Sequence, residues 1–390
     1  MDRVRVAVAS LFLVNGVVVA SWVPYIPIVK ARHELGDGQL GLTLLAMAFG
    51  GVLGLPLAGW LVTRLGSRTV AVAAALGLSV MLPAPVFAPS VTLTWLALLV
   101  FGAFNGILDV SMNAQAIEAE RRRGRPIMSS FHALFSLGGL AGAALTAVTM
   151  GQGIAPSTHL VSITLSAVAL IALATPSLIA ARATAPTSAA VFARPSRTLF
   201  ALGLLALCGL LAEGAMADWT AVYLRDVLAT TSATAALGFG AFSLAMAIGR
   251  FVGDTLVRRW GAVGVLRISS GVAAVGLALG LACHDAVAAV MAFGLVGLGI
   301  ANIVPLVFSA AGHAGSDAGS ALAAVATIGY LGWLSGPPLI GVLSEAVGLS
   351  FALGVVSLAC AFVAIRAIVI VGPAGTSHSA VHPRGAHAPL

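Results

Sequence analysis

Charged side chains are scarce in this sequence. Only 8% of its 390 residues are Asp, Glu, Lys or Arg, whereas a soluble domain carries about 25%. Hydrophobic residues make up 59%, and a soluble fold cannot hide so much apolar surface, because surface area grows too fast relative to volume. Intrinsic disorder is excluded as well, since it requires low hydrophobicity. The chain is therefore predicted to lie in a lipid bilayer.

Cysteines and catalytic motifs are also lacking. The three cysteines, Cys208, Cys283 and Cys360, stand at irregular spacing in or beside apolar segments, so neither a disulfide framework nor a metal site is predicted. Phosphate-binding loops and nucleophile–base arrangements are absent, so we expect no enzyme activity and no cofactor. The net charge of +7 lies in short clusters rather than along a continuous basic face, and nucleic-acid binding is not expected.

Long apolar runs dominate what is present. A membrane-spanning helix needs about 20 mainly apolar residues, and twelve runs meet this requirement. The first run resembles a secretory signal peptide, but eleven more follow it, so it is interpreted as the first transmembrane helix. The predicted spans are residues 6–28, 38–62, 69–88, 91–116, 127–150, 158–180, 198–223, 234–257, 264–283, 286–310, 320–344 and 349–371.

The basic residues predict the orientation of these spans. With the N-terminus inside, all of the 20 basic residues except Lys30, Arg32 and Arg225 fall on the inner side. Cytoplasmic loops of membrane proteins carry such an excess of Lys and Arg. Because the number of spans is even, both termini are predicted to be cytoplasmic.

The sequence also repeats itself at an offset of about 195 residues. Residues 137–145 (LGGLAGAAL) match residues 331–339 (LGWLSGPPL). At an offset of 195 residues, three further positions match: Gly54 with Gly249, Arg64 with Arg259, and Gly66 with Gly261. At an offset of 197 residues, Gly102 matches Gly299 and Asn105 matches Asn302. Two parallel six-helix halves are a known transporter architecture.

The domain boundaries follow from this repeat. We predict an N-terminal six-helix half over residues 1–180 and a C-terminal half over residues 198–372. Residues 181–197, rich in Ala, Pro, Ser and Thr, are interpreted as a cytoplasmic linker. Residues 373–390 are interpreted as a disordered cytoplasmic tail, in preference to a metal site made by its three spaced histidines.

The loop between spans two and three reads GWLVTRLGSR, and its second-half copy reads GRFVGDTLVRRWG. The first resembles the signature loop of the major facilitator superfamily (MFS), with Thr63 in place of the usual acid. The resemblance implies an all-α membrane fold of two six-helix halves. It also implies a cytoplasmic gate, in which glycines allow close helix approach and arginines reach acids and helix ends. The gate candidates are Gly59, Arg64, Gly66, Arg68, Asp254, Arg258 and Arg259.

The resemblance covers essentially the whole chain. Residues 105–116, 125–139 and 211–219 resemble a bacterial inner-membrane subgroup that is distantly similar to sugar permeases of the fucose type. It implies a multi-pass protein of the inner membrane, expected to be a monomer, with a small solute and protons as partners. In this superfamily spans one, four, seven and ten line the central cavity. The candidate binding residues are Asn15, Asn105, Asp109, Asn113, His132, Glu213, Asp218, Trp219 and Asn302.

Span four carries the clearest polar pattern. A charge near the bilayer centre costs about 2.5–3.5 kcal/mol on insertion scales, so intramembrane acids are functional candidates. Asn105, Asp109 and Asn113 are four residues apart and form one stripe along a helix. The stripe is interpreted as a solute- or proton-binding face lining a watery cavity. A polar seam that only holds helices together is the alternative.

Span seven adds Glu213 and Asp218, which lie about 140° apart on an ideal helix. We expect Glu213 to line the cavity. The two acids share a helix face only if Gly214 loosens the turn. Asp218 is interpreted either as a solute contact or as a partner of Arg225 or Lys30 at the outer rim. Trp219, like Trp22 and Tyr25, either anchors at the interface or stacks on a sugar-like or aromatic solute. His132 is expected to pack, with a proton relay to Asp109 as the alternative.

Two further pairings concern the inner surface. Arg250 and Asp254, four residues apart in span eight, are expected to neutralise each other. Glu118 and Glu120 are interpreted as surface acids within reach of Arg64 or Arg68, although most such groups form a solvated loop of little energetic weight.

The predicted function is secondary active transport by alternating access, with proton-coupled symport of a small polar solute favoured. Antiporters of this superfamily commonly carry an arginine in span four and a proline in span five. Here span four has no arginine before Arg121, and residues 138–145 of span five contain no proline. Proton-driven efflux is the alternative direction. A membrane sensor that binds solute without moving it is the alternative from another class.

Overall fold

The structure is a computed structural model, and it describes residues 3–123, 127–180, 196–314 and 318–371. Within these ranges the chain is helical and contains no strand. The predicted tail lies outside the described residues, and so does the predicted linker apart from its last two residues. Arg125, Arg182, Arg194 and Arg384, which contributed to the predicted orientation, lie outside them as well.

Helices long and apolar enough to cross a membrane account for nearly all of the described chain. In the first half they are α1 (Arg3–Arg32), α2 (Asp37–Leu65), α3 (Ser67–Phe87), α4 (Val91–Arg123), α5 (Met128–Gly151) and α6 (Pro156–Ser177). In the second half they are α7 (Arg197–Val227), a helix over Ser232–Cys283, α10 (Ala286–Gly312), α11 (Ala318–Val347) and α12 (Leu349–Ile370).

The helix over Ser232–Cys283 is 52 residues long and contains one break. Gly261 has φ 70° and ψ 161°, a conformation outside the helical region. The break divides the segment into α8 (232–260) and α9 (262–283). The eleven apolar helices found in the described residues thereby become twelve segments, the predicted number. Their positions agree with the predicted spans to within a few residues at most ends.

The internal repeat is visible in the backbone. The described residues with positive φ form three pairs, each 195 residues apart: Glu34 and Ala229, Gly66 and Gly261, and Gly153 and Gly348; His284 stands outside the pairs. L-residues rarely adopt positive φ, so the coincidence reflects equivalent turns in the two halves. The two-half architecture inferred from the sequence repeat is confirmed.

Helix packing repeats in the same way. Within the first half α1 packs on α5 and α2 packs on α4, and within the second half α7 packs on α11 and α8 packs on α10. Most of the contact between the halves lies in two helix pairs, α2 with α11 and α5 with α8. Small residues permit this contact: a Cβ at Gly41 would lie 2.5 Å from the carbonyl oxygen of Pro337, and one at Gly341 would lie 2.6 Å from that of Asp37.

The end of the bundle that carries Lys30, Arg32 and Arg225 is closed by polar contacts between the halves. Lys30 Nζ lies 2.6 Å from Asp37 Oδ1 within the first half and 2.6 Å from Asp226 Oδ2 of the second half. The Gly38 amide donates to Glu345 Oε1 at 2.9 Å, and the Ser344 hydroxyl donates to Asp37. We call this set of contacts the latch. The other end carries Arg64, Arg121 and Arg258 and is called the arginine-rich end.

Candidate functional site

A cavity of about 450 Å³ lies between the two halves, and we call it the main cavity. Asn15, Asn105 and Glu213 line it near the middle of their helices, while Met128 and Asp254 extend the lining towards the arginine-rich end. The latch closes the opposite end. The main cavity is thus accessible from the arginine-rich side of the contact between the halves.

The polar stripe of α4 faces the main cavity over part of its length. Asn105 and Asp109 line the cavity, whereas Asn113 does not. The Asn113 amide instead donates to Asp109 Oδ1 at 3.1 Å and to the Asp109 carbonyl at 2.8 Å. Asn113 therefore acts on the cavity by holding the Asp109 carboxyl group, and its predicted place in the lining is corrected.

Glu213 of α7 lines the main cavity opposite α8. Its Oε1 lies 3.8 Å from Arg250 Nη2, and Arg250 Nη1 donates to the Ser136 hydroxyl at 3.1 Å. The prediction that Arg250 and Asp254 neutralise each other is wrong, because Arg250 turns into the cavity towards α7. In the described chain Asp254 forms no ion pair; its exposed side chain lines the cavity near the arginine-rich end.

Three other predicted residues also line the main cavity: Asn15, His132 and Asn302. Asn15 is 2% exposed, and its Oδ1 is buried without a hydrogen-bond partner. Asn302 lies at a break in α10 and donates to the Gly249 carbonyl at 3.1 Å. The His132 ring packs edge-on against Phe12 with centroids 5.2 Å apart. This contact agrees with the packing interpretation, although the ring also reaches the cavity.

A smaller cavity of about 100 Å³ adjoins the main cavity, and we call it the inner chamber. Asn105, Phe135, Glu213 and Trp333 line both spaces. The inner chamber adds Asp218, which has no ion pair or hydrogen bond in the described chain. Lys30 binds Asp37 and Asp226, and Arg225 donates to Ser232. Asp218 is therefore a chamber residue and not a partner of either cation.

The two acids of α7 line the same chamber although they do not share a helix face. The helix is regular through Gly214, so Glu213 and Asp218 lie about 140° apart around it, as expected for a turn that is not loosened. Both side chains nevertheless line the inner chamber. A shared helix face is therefore not needed for the two acids to reach one chamber.

The outer aromatic residues belong to neither space. Trp22, Tyr25 and Trp219 are each at most 2% exposed, and none of them lines either cavity. Both interpretations of Trp219, an interfacial anchor and a solute contact, are corrected. These rings fill the packed region on the latched side, where α1 and α7 approach each other.

Sequence reasoning missed the aromatic contribution of α11. Tyr330 and Trp333 line the main cavity, and the buried Trp333 Nε1 has no hydrogen-bond partner. A signal was present in the repeat, because Trp333 occupies the position equivalent to Gly139 in the match of LGW with LGG. This exchange of glycine for tryptophan marks a place where the two halves contribute different side chains to the cavity lining.

The gate candidates lie at the arginine-rich end, and among the described residues none of them forms an ion pair or hydrogen bond with the other half. Exposed Arg64 stacks on Trp60, 4.6 Å from the ring centroid, and Arg258 donates to Thr255 at 2.9 Å. Gly59 has open space where a Cβ would stand, so it is not a point of close helix approach. Gly66 has φ 83° and its equivalent Gly261 has φ 70°, so both stand at turns whose positive φ favours glycine. The other gate candidates at this end are Arg68, Asp254 and Arg259.

The surface acids of α4 contact their own neighbourhood. Glu118 pairs with Arg121 at 2.6 Å and with Arg122 at 2.9 Å. Glu120 Oε2 accepts from the amides of Ile127 and Met128, at the beginning of α5. The alternative that these acids reach Arg64 or Arg68 is therefore not realised in this conformation.

A helical bundle of two equivalent halves around a polar cavity, closed at one end, is the architecture of a membrane transporter. The profile of the Major Facilitator Superfamily matches residues 8–337. The chain belongs to this superfamily, and it is a multi-pass membrane protein. An uncharacterised MFS-type transporter of Yersinia pestis is 36% identical over 93% of this chain and 94% of its own. Another uncharacterised transporter, of Sinorhizobium fredii, is 36% identical over 93% of this chain and 97% of its own.

Solved structures agree on the fold. A nucleoside transporter matches with a TM-score of 0.74 at 12% identity, covering 94% of this chain and 99% of that one. A D-xylose–proton symporter matches with a TM-score of 0.73 at 12% identity, covering 93% and 96%. The Escherichia coli fucose–proton symporter matches with a TM-score of 0.59 at 20% identity, covering 94% and 98%.

Proposed function

We propose that the protein is a secondary active transporter of the bacterial inner membrane that moves a small polar solute together with protons. The observation that carries the proposal is the main cavity, which lies between the halves and is lined by polar groups of both, while the latch joins the halves at the end of the bundle opposite the arginine-rich end. Alternating access requires such a site with one end closed. With the arginine-rich end in the cytoplasm, as the positive-inside rule requires, this conformation faces inward.

The two halves serve as the moving bodies in this proposal. Residues 1–180 and 198–372 rock about the main cavity, and residues 181–197 join them on the cytoplasmic side. Contacts between the halves are concentrated in α2 with α11 and in α5 with α8. When the latch opens, the gate candidates of the arginine-rich end take over the closure, and Arg64, Arg68 and Arg259 then reach acids and helix ends.

Asp109 is the proposed proton carrier. It lines the main cavity, and its only described partner is the neutral amide of Asn113. A carboxyl group without a cation can gain and lose a proton without leaving a buried countercharge. Glu213, in contrast, has Arg250 as its neighbour. The symport direction is also supported by two solved proton symporters that share the fold.

Reconstitution in proteoliposomes tests the proposal. Solute exchange is measured by counterflow, and net uptake is measured with and without an imposed proton gradient. We expect a gradient to accelerate uptake by the wild type, and we expect Asp109→Asn to retain counterflow while it loses the acceleration. Unchanged gradient dependence in Asp109→Asn would contradict the role of Asp109, and binding without exchange would contradict transport.

Asp285→Asn is the matched control. Asp285 caps α10 by accepting from the Ala288 amide at 2.9 Å, and its exposed side chain lines neither cavity. Asn serves equally well at a helix N-cap, so this variant makes the same chemical change without altering the helix. It should keep the wild-type gradient dependence.

A further inference from the structure

The inner chamber has an excess of negative charge. Its ionisable lining residues are Glu213 and Asp218, and no basic side chain of the described chain lines it. Arg250 lies beside Glu213 at 3.8 Å from the side of the main cavity, so the charge of Glu213 is balanced. Asp218 has no such neighbour. An isolated carboxylate in a membrane protein is costly unless a cation or a proton joins it.

Aromatic rings make up much of the remaining chamber wall. Phe135, Phe239, Phe242 and Trp333 line it, and the rings of Phe239 and Phe242 lie 5.7 Å apart. Other lining residues are small or apolar, such as Gly16, Ala20 and Met246. An aromatic wall around a single acid favours an organic ammonium group, because ring faces attract a cation and apolar walls accept its methyl or methylene groups.

The adjoining main cavity offers acceptors that lack donors. Asn15 is 2% exposed, and its Oδ1 is buried without a partner; the Oδ1 of Asn105 is also buried without one. Buried polar atoms are almost always hydrogen-bonded, so these oxygens point to a bound group that donates. A solute that brings donors into the main cavity satisfies them.

We propose that the transported solute is an organic cation, whose ammonium group occupies the inner chamber against Asp218 while its hydrogen-bond donors reach Asn15 and Asn105. The proposal rests on the proposed transport function and names the class of its solute. It also excludes anionic solutes, because a carboxylate or phosphate entering the chamber would meet Asp218 and, among the described lining residues, no basic side chain.

Equilibrium binding to the purified full-length protein tests this inference without any transport. The probe is radiolabelled choline, displaced either by unlabelled choline or by 3,3-dimethylbutan-1-ol, which has the same shape with carbon in place of the charged nitrogen. We expect choline to displace the label at a concentration at least about tenfold lower than the uncharged alcohol, as a desolvated cation–carboxylate contact requires. This comparison uses the wild type and is independent of how any variant folds.

Variants then locate the charge. Asp218→Asn should weaken choline binding by at least about tenfold, whereas Asp285→Asn, the same change at a remote helix cap, should leave it unaltered. Equal displacement by the two compounds, absence of saturable choline binding, or unchanged binding in Asp218→Asn would each overturn the inference.

The outcomes separate this inference from the proposed function. If proteoliposomes exchange an uncharged solute and the protein does not bind choline, the cation inference fails while transport stands. If choline binds saturably and depends on Asp218 but no flux is measured, the transport proposal fails while the cation site stands.

Discussion

The three acids of the central region differ in what stands beside them. Glu213 has a guanidinium group at 3.8 Å, Asp109 has an amide at 3.1 Å, and Asp218 has no described partner. Because a charge within the membrane costs several kcal/mol, each arrangement implies a different way to bear that cost. A fixed countercharge suits a structural or gating acid, an amide suits a proton carrier, and an empty aromatic chamber suits a cationic ligand.

The packing of Trp333 against α7 leads to a prediction for Gly214. A Cβ at this position would lie 2.9 Å from Trp333 Cδ1 and 3.3 Å from its Nε1. Gly214→Ala should therefore push the indole into the space that the solute uses. We expect the affinity for the transported solute, or for choline as the probe, to fall about tenfold, since overpacking costs about 1–3 kcal/mol.

The control for this variant is Gly271→Ala. Gly271 is also a helical glycine, in α9, and it has no atom within 4 Å of an added Cβ. Alanine there should stabilise the helix by up to about 1 kcal/mol and leave binding unchanged. Similar losses of binding affinity in both variants would show that the effect of Gly214→Ala does not come from its contact with Trp333.

The residues of the site could be predicted only in part. Helical spacing placed Asn105 and Asp109 correctly, because a four-residue repeat determines which side chains share a face. The same spacing wrongly placed Asn113 in the cavity lining, because the polar face of α4 continues beyond the end of the main cavity. It failed for Trp219 because the neighbouring face of α7 packs against protein, and periodicity alone does not tell protein from cavity. Trp333 required a comparison of the two halves.

Among the helices and turns, the break between α8 and α9 makes a sharp test possible. Gly261 has φ 70° with open space around an added Cβ, and Gly59 is helical with open space as well. Alanine adds no clash at either position, so the backbone conformation alone separates them. We expect Gly261→Ala to lower the thermal midpoint of the purified protein, because a strained backbone costs about 1–3 kcal/mol.

Gly59→Ala, at a helical glycine of the first half, is the matched control. In a helix, alanine is favoured over glycine by up to about 1 kcal/mol, so its midpoint should stay equal to that of the wild type or rise. A fall of equal size in both variants would mean that these glycines serve close packing in another conformation, as the signature loop suggested, and not the turn itself.

The helices themselves were largely predictable from hydropathy, apart from their ends. The predicted first span ends at residue 28 and the fourth at residue 116, whereas the helices continue to Arg32 and Arg123. Hydropathy detects the part of a helix that lies in hydrocarbon, and a helix continues into water when its polar residues allow it. Those polar extensions carry Lys30 of the latch and Glu120, which accepts from the backbone amides at the start of α5.

At the scale of the whole molecule, the two ends differ in how the halves meet. Ion pairs and hydrogen bonds join the halves at the latch, whereas the described ion pairs of the arginine-rich end lie along α4 alone. Lys30 bridges an acid of its own half and one of the other half. The side chains of Lys30, Asp37 and Asp226 are 16%, 20% and 34% exposed, so water screens their attraction only partly.

This asymmetry predicts that Lys30 biases the position of the halves. Lys30→Met leaves Asp37 and Asp226 facing each other without a cation, and we expect the population open at the latched end to increase. The measurement is a spin-label distance between native Cys283, which is exposed at this end of α9, and a cysteine introduced at exposed Val91 of α4. Cys208 and Cys360 are replaced by alanine.

Arg32→Gln separates this effect from a general loss of charge. Arg32 lies at the same end but donates to the carbonyl of Val86 within its own half, so its removal breaks no contact between the halves. The label distance should lengthen in Lys30→Met and remain unchanged in Arg32→Gln. If the latch sets the resting conformation, the same Lys30→Met variant should also take up solute from the inner side less readily. Distances that lengthen equally in both variants would assign closure of this end to the glycine contacts of α2 and α11 instead.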